Sequence, residues 1–471
     1  MSSVRIAFDK LDGVAKEDMK LGKIKPGYKY CGTHMIFDIK MDGKFTRKAR
    51  LVADGHLTDV PSSMTYSSVV SRDSVRIGLT MASLNDLKVF ACDIGNAYLN
   101  AECREKLWTV AGPEFGSEAG SVMIIARALY GLKSSGAAWR SKLAETLRAM
   151  HYFPSEADPD VWLKKDVKPD GTPYWKYMLI YVDDVLHVAH DPSIDMAALN
   201  TVYRLKDGSG PPDRYLGANI EEVQLKSGDL AWSMTCVDYL KGTIEEVNKI
   251  LHESGTALKN FGKGERPYPS SYRPELDVSR ELDDRMTNRY QQYIGILRWS
   301  IELGRIDILT EVSVLSQYLC NPREGHLATV YKIFRYLQAN MNKNPGRICF
   351  DASSVNDVDE RLFANGSLDP ELWKDFYPDA AEALPGKEVE ALGNPVRIRC
   401  YVDANHAGNM VNRRSHSGIL IYINNSPIIW YSKRQNTVET SSFGSEYVAL
   451  RIATELVEAL RYKLRTFGIP V

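Results

Sequence analysis

The chain has 471 residues, is 44% hydrophobic and 25% charged, and balances 59 basic against 60 acidic side chains. This composition excludes wholesale disorder, and the length predicts about three domains. No apolar run reaches the ~20 residues of a membrane span, Met1-Ser2-Ser3-Val4-Arg5 opens no secretory leader, and seven scattered cysteines without a CxxC pair argue against a disulfide framework or structural zinc. The expectation is an intracellular protein, cytoplasmic or nuclear, with no membrane partner.

Charge is segregated along the chain. Residues 1–50 carry 12 basic and 6 acidic side chains, with Lys40, Lys44, Arg47, Lys48 and Arg50 crowded together. From Tyr28 to Arg50 the pattern alternates around Asp42-Gly43, a hairpin signal. Arg72–Leu87 has helical periodicity, and Val89-Phe90-Ala91-Cys92 is a short apolar strand stopping at Asp93. A second helix over 137–150 sets Trp139, Leu143, Leu147 and Met150 on one side. The runs Tyr177–Val182 and Val185–Val188 flank Asp183-Asp184, which predicts a tight β-hairpin with this acidic pair at the centre of its tip. Helices are predicted over 238–252, 286–303, 307–320 and 326–340. Residues 322–347 carry five basic residues and one acid, interleaved with Tyr331, Phe334 and Tyr336. Residues 351–395 are acidic, contain four prolines and read as a linker. Strands over 397–402, 418–423 and 426–432 then precede a helix over 445–467. This order implies α+β or α/β modules, and the basic segments suit a polyanion.

Two carboxylate positions carry the chemistry. Taken singly, Asp93 reads as a helix N-cap and Asp183-Asp184 as a turn dipeptide. Together they sit where neighbouring strands could bring them to one sheet edge. Hard oxygen ligands on strands suit Mg²⁺, and two such ions perform nucleotidyl transfer. His187 and His190 stand three apart on a strand, on opposite faces, and read as strand residues rather than ligands.

The ordered motifs Lys48-Ala49-Arg50-Leu51-Val52-Ala53, Ser68–Ser74, Asp93-Ile94-Gly95-Asn96-Ala97-Tyr98-Leu99-Asn100, Ala128–Lys133 and Tyr181-Val182-Asp183-Asp184 together resemble the reverse transcriptase of copia-type long-terminal-repeat retrotransposons. The similarity continues through Tyr215-Leu216-Gly217 and Arg305–Ile308. It resumes after the linker with Tyr401-Val402-Asp403-Ala404, Trp430–Gln435 and Ser445-Glu446-Tyr447, which resemble that family's ribonuclease H domain. The resemblance implies an α+β right-hand polymerase followed by an α/β ribonuclease H-like domain. The expected divisions are a lead (1–24), fingers and palm (25–222), a helical thumb/connection (223–350), the linker (351–395) and a C-terminally truncated ribonuclease H-like domain (396–471).

By this resemblance Asp93, Asp183 and Asp184 are catalytic and hold two Mg²⁺ ions, with Mn²⁺ an admissible substitute. Lys48 and Arg50 meet the triphosphate, and Tyr98 is a steric gate against a 2′-hydroxyl. Their plainer readings are a solvated hairpin edge and a core tyrosine. Tyr215-Leu216-Gly217 resembles the turn that holds the primer terminus, or is a plain strand-ending turn. Asp403 and Glu446 match ribonuclease H metal carboxylates, but Val471 precedes the strand expected to bring the next Asp, so weak or absent ribonuclease activity is expected. Ser134 replaces the family's usual Gln, putting one nucleotide or template contact in question. The implied activity is RNA- and DNA-directed DNA polymerisation, with an RNA or DNA primer–template, deoxynucleoside triphosphates and other parts of a parent polyprotein as partners. The alternative is an inactive relic that binds nucleic acid or a partner.

Overall fold

The computed structural model describes residues 5–39, 47–62, 64–253, 266–268, 271–341, 346–353, 378–379 and 382–471. The Asp42-Gly43 turn and most of the acidic stretch lie outside the described residues. Near the N-terminus four short strands (Phe8–Lys10, Val122–Ile125, Leu107–Val110, Lys29–Tyr30) form a small sheet. Beside it β1 (Thr33–Ile39) and β2 (Arg47–Ala53) pair as an antiparallel ribbon with Asp38 opposite Lys48. Its base is buried through Leu51 and Ala53, whereas Phe37 is 77% exposed.

The apolar runs flagged in the sequence form the centre of a six-stranded sheet. Its order is β7 (Leu205–Gly210), β3 (Lys88–Ile94), β6 (Asp184–Ala189), β5 (Pro173–Tyr181), β4 (Val161–Val167) and the short Phe153–Pro154 strand. Both faces are covered, which is why β5 lacks a polar alternation. Tyr177 and Leu179 pack in one core with Val75, Ile77 and Leu79 of α1 (Arg72–Leu84). Met178 and Ile180 point the other way, onto Trp139, Leu143 and Leu147 of α2 (Ser135–Ala149) and Met196 and Leu199 of α3 (Ser193–Val202). The first turn of α1 is satisfied from a distance. Asp158 accepts hydrogen bonds from Ser71 N (3.0 Å), Ser71 Oγ (2.8 Å) and Ser74 Oγ (2.6 Å).

Beyond the sheet, β8 (Arg214–Tyr215), β9 (Ala218–Gln224) and β10 (Leu230–Thr235) form antiparallel hairpins, joined by β11 (Ile348–Cys349). The region expected to be helical from 223 therefore begins with strands. Ala231–Thr235 are all buried, and Trp232-Ser233-Met234-Thr235 does alternate apolar and polar side chains, a short strand signal to which no strand was assigned. The helices follow as α4 (Val237–Glu253), α5 (Asp284–Glu302), α6 (Leu309–Leu315) and α7 (Glu324–Asn340). A three-stranded meander, β12 (Ile398–Asn405), β13 (His416–Ile423) and β14 (Ser426–Arg434), ends in α8 (Ser442–Thr466).

One hydrophobic core runs from α1 through α5 and α7 into the meander and α8. Arg76 of α1 bridges these parts. It donates to Ile428 O (2.9 Å) and Glu302 O (2.8 Å) and stacks 3.7 Å from the Trp430 ring. The late part of the acidic stretch is also tied down. Trp175 Nε1 donates to Glu390 O, and Leu392 N to Gly468 O, both at 2.9 Å. Among the described residues no helix is long and apolar enough to cross a membrane.

Candidate active site

Asp93 is the penultimate residue of β3, which lies between β6 and β7. Asp184 stands directly opposite it from β6, and Lys206 opposite it from β7. The β5–β6 hairpin closes one residue earlier than predicted. Tyr181 pairs with Asp184, so the two turn residues are Val182 and Asp183, and Asp184 is the first residue of β6. Val182 takes φ 57°, a left-handed conformation disfavoured for a β-branched side chain. Two contacts hold the turn. Trp139 Nε1 donates to the Val182 carbonyl at 2.7 Å, and Ile94 N to the Asp183 carbonyl at 2.8 Å.

This geometry concentrates negative charge. Like charges opposite one another across strands repel. Burial, then the charges of Asp183 and Asp93, pushes the Asp184 carboxyl up to about 6, with Lys206 pulling the other way. Burial and Asp93 also raise Asp183, offset by Lys206 and Lys48. Lys206 Nζ lies 2.6 and 2.7 Å from the two Asp93 oxygens. Among the described residues no three His, Cys, Asp or Glu side chains close into a metal-binding cluster. The donor set still suits a hard divalent cation: three carboxylates on rigid backbone, of which Asp183 and Asp184 are raised by burial first and by neighbouring carboxylate charge second.

Other expected residues gather around this cluster. Tyr98 lies in a 3₁₀ turn over Ala97–Asn100, and its phenol is raised by burial and then by Asp183. Lys48 acts on Asp183, and Arg50 on Tyr130. Tyr215, Leu216 and Gly217 form a tight hairpin: Tyr215 pairs with Ala218, and both turn residues have positive φ. Tyr215 is buried, and its phenol is raised by burial first and then by Asp184. Asp403 on β12 and Glu446 on α8 belong to the C-terminal unit instead, where Ser445 Oγ lies 3.3 Å from His406 Nδ1. Ser134 donates through N and Oγ to Glu105. His187 is fully buried, 3.1 Å from the Tyr152 hydroxyl, and serves the core.

Three neighbours of the cluster escaped sequence reasoning. Lys206 sits in no recognisable motif. Trp139 read as a core residue of an amphipathic helix, with nothing to mark its indole N–H. Tyr130 stood within a quoted motif but carried no assigned role.

Residues 18–252 match the family model described as reverse transcriptase (RNA-dependent DNA polymerase). The chain is 26% identical over 449 residues to the retrovirus-related Pol polyprotein from transposon TNT 1-94 of Nicotiana tabacum, covering 91% of this chain and 29% of that protein. It is 25% identical over 445 residues to the corresponding polyprotein from transposon RE1 of Arabidopsis thaliana, covering 93% and 26% respectively. A putative transposon Ty5-1 protein of Saccharomyces cerevisiae is 24% identical over 76% of this chain and 97% of its own length. The chain spans under a third of the two plant polyproteins it matches.

Proposed function

Starting from a chain that belongs to the reverse transcriptase family through residues 18–252, as a region of a copia-type transposon polyprotein, we propose that it is an RNA- and DNA-directed DNA polymerase. The observation that carries this reading is the convergence of Asp93, Asp183 and Asp184 at one end of β3 and β6, with the latter two raised by burial first and then by neighbouring carboxylate charge, Asp93 acting on both. In this reading the six-stranded sheet is the palm, the β1–β2 ribbon belongs to the fingers, and α4 to α7 form the thumb and connection.

Asp93 and Asp183 are the direct Mg²⁺ ligands, with Asp184 a weaker participant. The ions, when bound, supply activation of the primer 3′-hydroxyl and charge relief at the leaving pyrophosphate. Lys48 and Arg50 grip the triphosphate from the ribbon, with guanidinium suited to bidentate phosphate contact. Tyr98 fills the space a 2′-hydroxyl would need, and the Tyr215-Leu216-Gly217 turn holds the primer end. Template and primer phosphates are tracked without sequence preference, so binding weakens steeply with salt. Asp403 and Glu446 are carboxylates of a ribonuclease H-like unit (396–471).

The test is primer extension on RNA and DNA templates with Mg²⁺ and deoxynucleotides, comparing the chain with Asp183→Asn. Extension by the first and none by the second supports the reading. No extension by either, from folded protein that binds the duplex, refutes it and leaves a nucleic-acid-binding relic.

A further inference from the structure

Tyr130 lies where the fingers ribbon meets the palm. Its carbonyl accepts from Ala53 N at 2.8 Å, and it bridges Val52 in parallel fashion, so its backbone is bound to the end of β2. The loop presses on that strand because Gly131 follows at φ +92°. A Cβ at that position would lie 2.1 Å from the Ala53 carbonyl oxygen. From this anchored position the Tyr130 ring meets the Tyr98 ring, with centroids 4.9 Å apart and planes tilted by 55°.

The backbone of Tyr98 is fixed separately. Asn96 enters the 3₁₀ turn in the left-handed region, and Asn100 Nδ2 donates to the carbonyls of Gly95, Asn96 and Ala97. The remaining freedom of Tyr98 is in its side chain, and Tyr130 borders that side chain. Both phenols sense the Asp183 charge, and Tyr130 also senses Arg50 and Asp93. The pair therefore lies within electrostatic reach of the carboxylates and of Arg50. A side chain that excludes a 2′-hydroxyl by size works only if it cannot swing aside. Tyr130, 37% exposed, is the ring in contact with it.

We propose that Tyr130 is a positioning residue for Tyr98, and that the two rings together set the discrimination between deoxyribo- and ribonucleoside triphosphates. This rests on the polymerase reading above. It also makes the contact of β2 with Tyr130 a route by which ribbon position reaches the gate.

The experiment is single-nucleotide extension with a deoxynucleotide or its ribonucleotide counterpart, giving kcat/KM for each. The full chain is compared with Tyr130→Ala, Tyr130→Leu, Tyr130→Phe, Tyr98→Ala and the Tyr98→Ala/Tyr130→Ala double variant. Tyr130→Ala lowers the deoxy-to-ribo ratio by about tenfold, the scale of one lost aromatic pair, mainly through faster ribonucleotide use. Tyr130→Phe keeps the ratio. The double variant discriminates no worse than Tyr98→Ala, because Tyr130 acts through Tyr98. An unchanged ratio in Tyr130→Ala, a loss in Tyr130→Phe as large as in the alanine form, or additive losses in the double variant overturns the proposal. Should Tyr130→Ala fail to fold, Tyr130→Leu, which keeps bulk without the ring, gives the same reading. No extension by the unmodified chain refutes the polymerase reading and this proposal with it; extension with unaltered discrimination refutes this proposal alone.

Discussion

Replacing Trp139 with Phe tests whether the turn that carries Asp183 in the proposed polymerase site is held in place from behind. The indole donates a 2.7 Å hydrogen bond to the carbonyl of Val182, whose φ of 57° is strained for a β-branched residue. That conformation costs about 1–2 kcal/mol. The hydrogen bond is worth about 1 kcal/mol net, and more if the carbonyl is left unsatisfied. The two terms are of similar size, so removing the bond leaves the strain offset only by the Ile94–Asp183 contact and lowers the population of the turn. Phe retains a ring against Tyr203, which Trp139 meets edge-on at 5.2 Å, and deletes only the donor and part of the ring. Relaxation of the turn moves Asp183 and Asp184 off their positions in a large fraction of molecules. Extension should fall about tenfold in kcat for a loss of about 1.4 kcal/mol, with thermal stability lowered by less than about 3 °C in a chain of this size. The assay is single-turnover extension beside a melting curve. Full activity at intact stability refutes the argument, since the turn then keeps its shape without the bond. Loss of activity only in proportion to unfolded protein also refutes it, leaving Trp139 as core.

Arg76→Met removes the guanidinium that reaches Ile428, Glu302 and Trp430, and should destabilise the chain by about 3 kcal/mol. The urea midpoint falls and cleavage of the C-terminal unit by a trace of protease accelerates; an unmoved midpoint contradicts the bridging role. Acid should weaken the metal-free fold. Burial holds His187 and His416 down to about 4 from 6.5, so between those values the unfolded chain takes up protons that the folded chain refuses, and stability falls as pH falls. Asp184, raised to about 6, runs oppositely, its contribution being complete below 3.8 and lost as pH rises through about 6. Asp183 and Glu311 are raised as well, but the lowered carboxyls of Asp73, Asp195 and Glu382 lose stability toward acid together with the two histidines. The urea midpoint at pH 4.5 therefore lies below that at pH 7, and His187→Asn flattens the slope; a rising midpoint toward acid negates this. Lys206→Met removes a half-exposed ion pair worth about 0–1 kcal/mol, so melting barely changes. Because the ammonium competes for Asp93, calorimetric Mg²⁺ affinity should rise severalfold, and weaker binding counts against that competition.

Local patterns were enough for much of the frame. α1 and α2 have apolar stripes that tertiary contacts merely use, and their observed limits fall within a few residues of the expected ones. The β5–β6 hairpin was legible because strands buried on both faces are continuous apolar runs broken only at the turn. Its register was not. Asp-Asp is good turn chemistry and Val is poor, so a local rule centres the turn on the acids. The structure centres it one residue earlier because Trp139, 43 residues away, supplies a bond that the dipeptide cannot announce. The strand Leu230–Thr235 was lost because its alternation, Trp232-Ser233-Met234-Thr235, is only four residues long, too short to separate it from a helical turn without the neighbouring strand that pairs with it.

The same division explains which site residues could be found. Asp93, Asp183 and Asp184 are visible because carboxylates ending apolar strands are costly and therefore informative. What offsets that cost has no sequence signature. Lys206 reaches Asp93 only because β7 pairs beside β3, a long-range choice of neighbour that spacing does not encode. Tyr130 reaches Tyr98 only because a glycine lets its loop close onto β2. Residues that perform chemistry are constrained by type and so leave motifs. Residues that hold them are constrained by position alone, and Trp139, Lys206 and Tyr130 could each be another residue wherever the fold approached the site differently. On the polymerase reading, substitutions at these three positions should therefore alter rate, metal affinity and sugar selection separately, whereas loss of Asp183 should abolish extension outright.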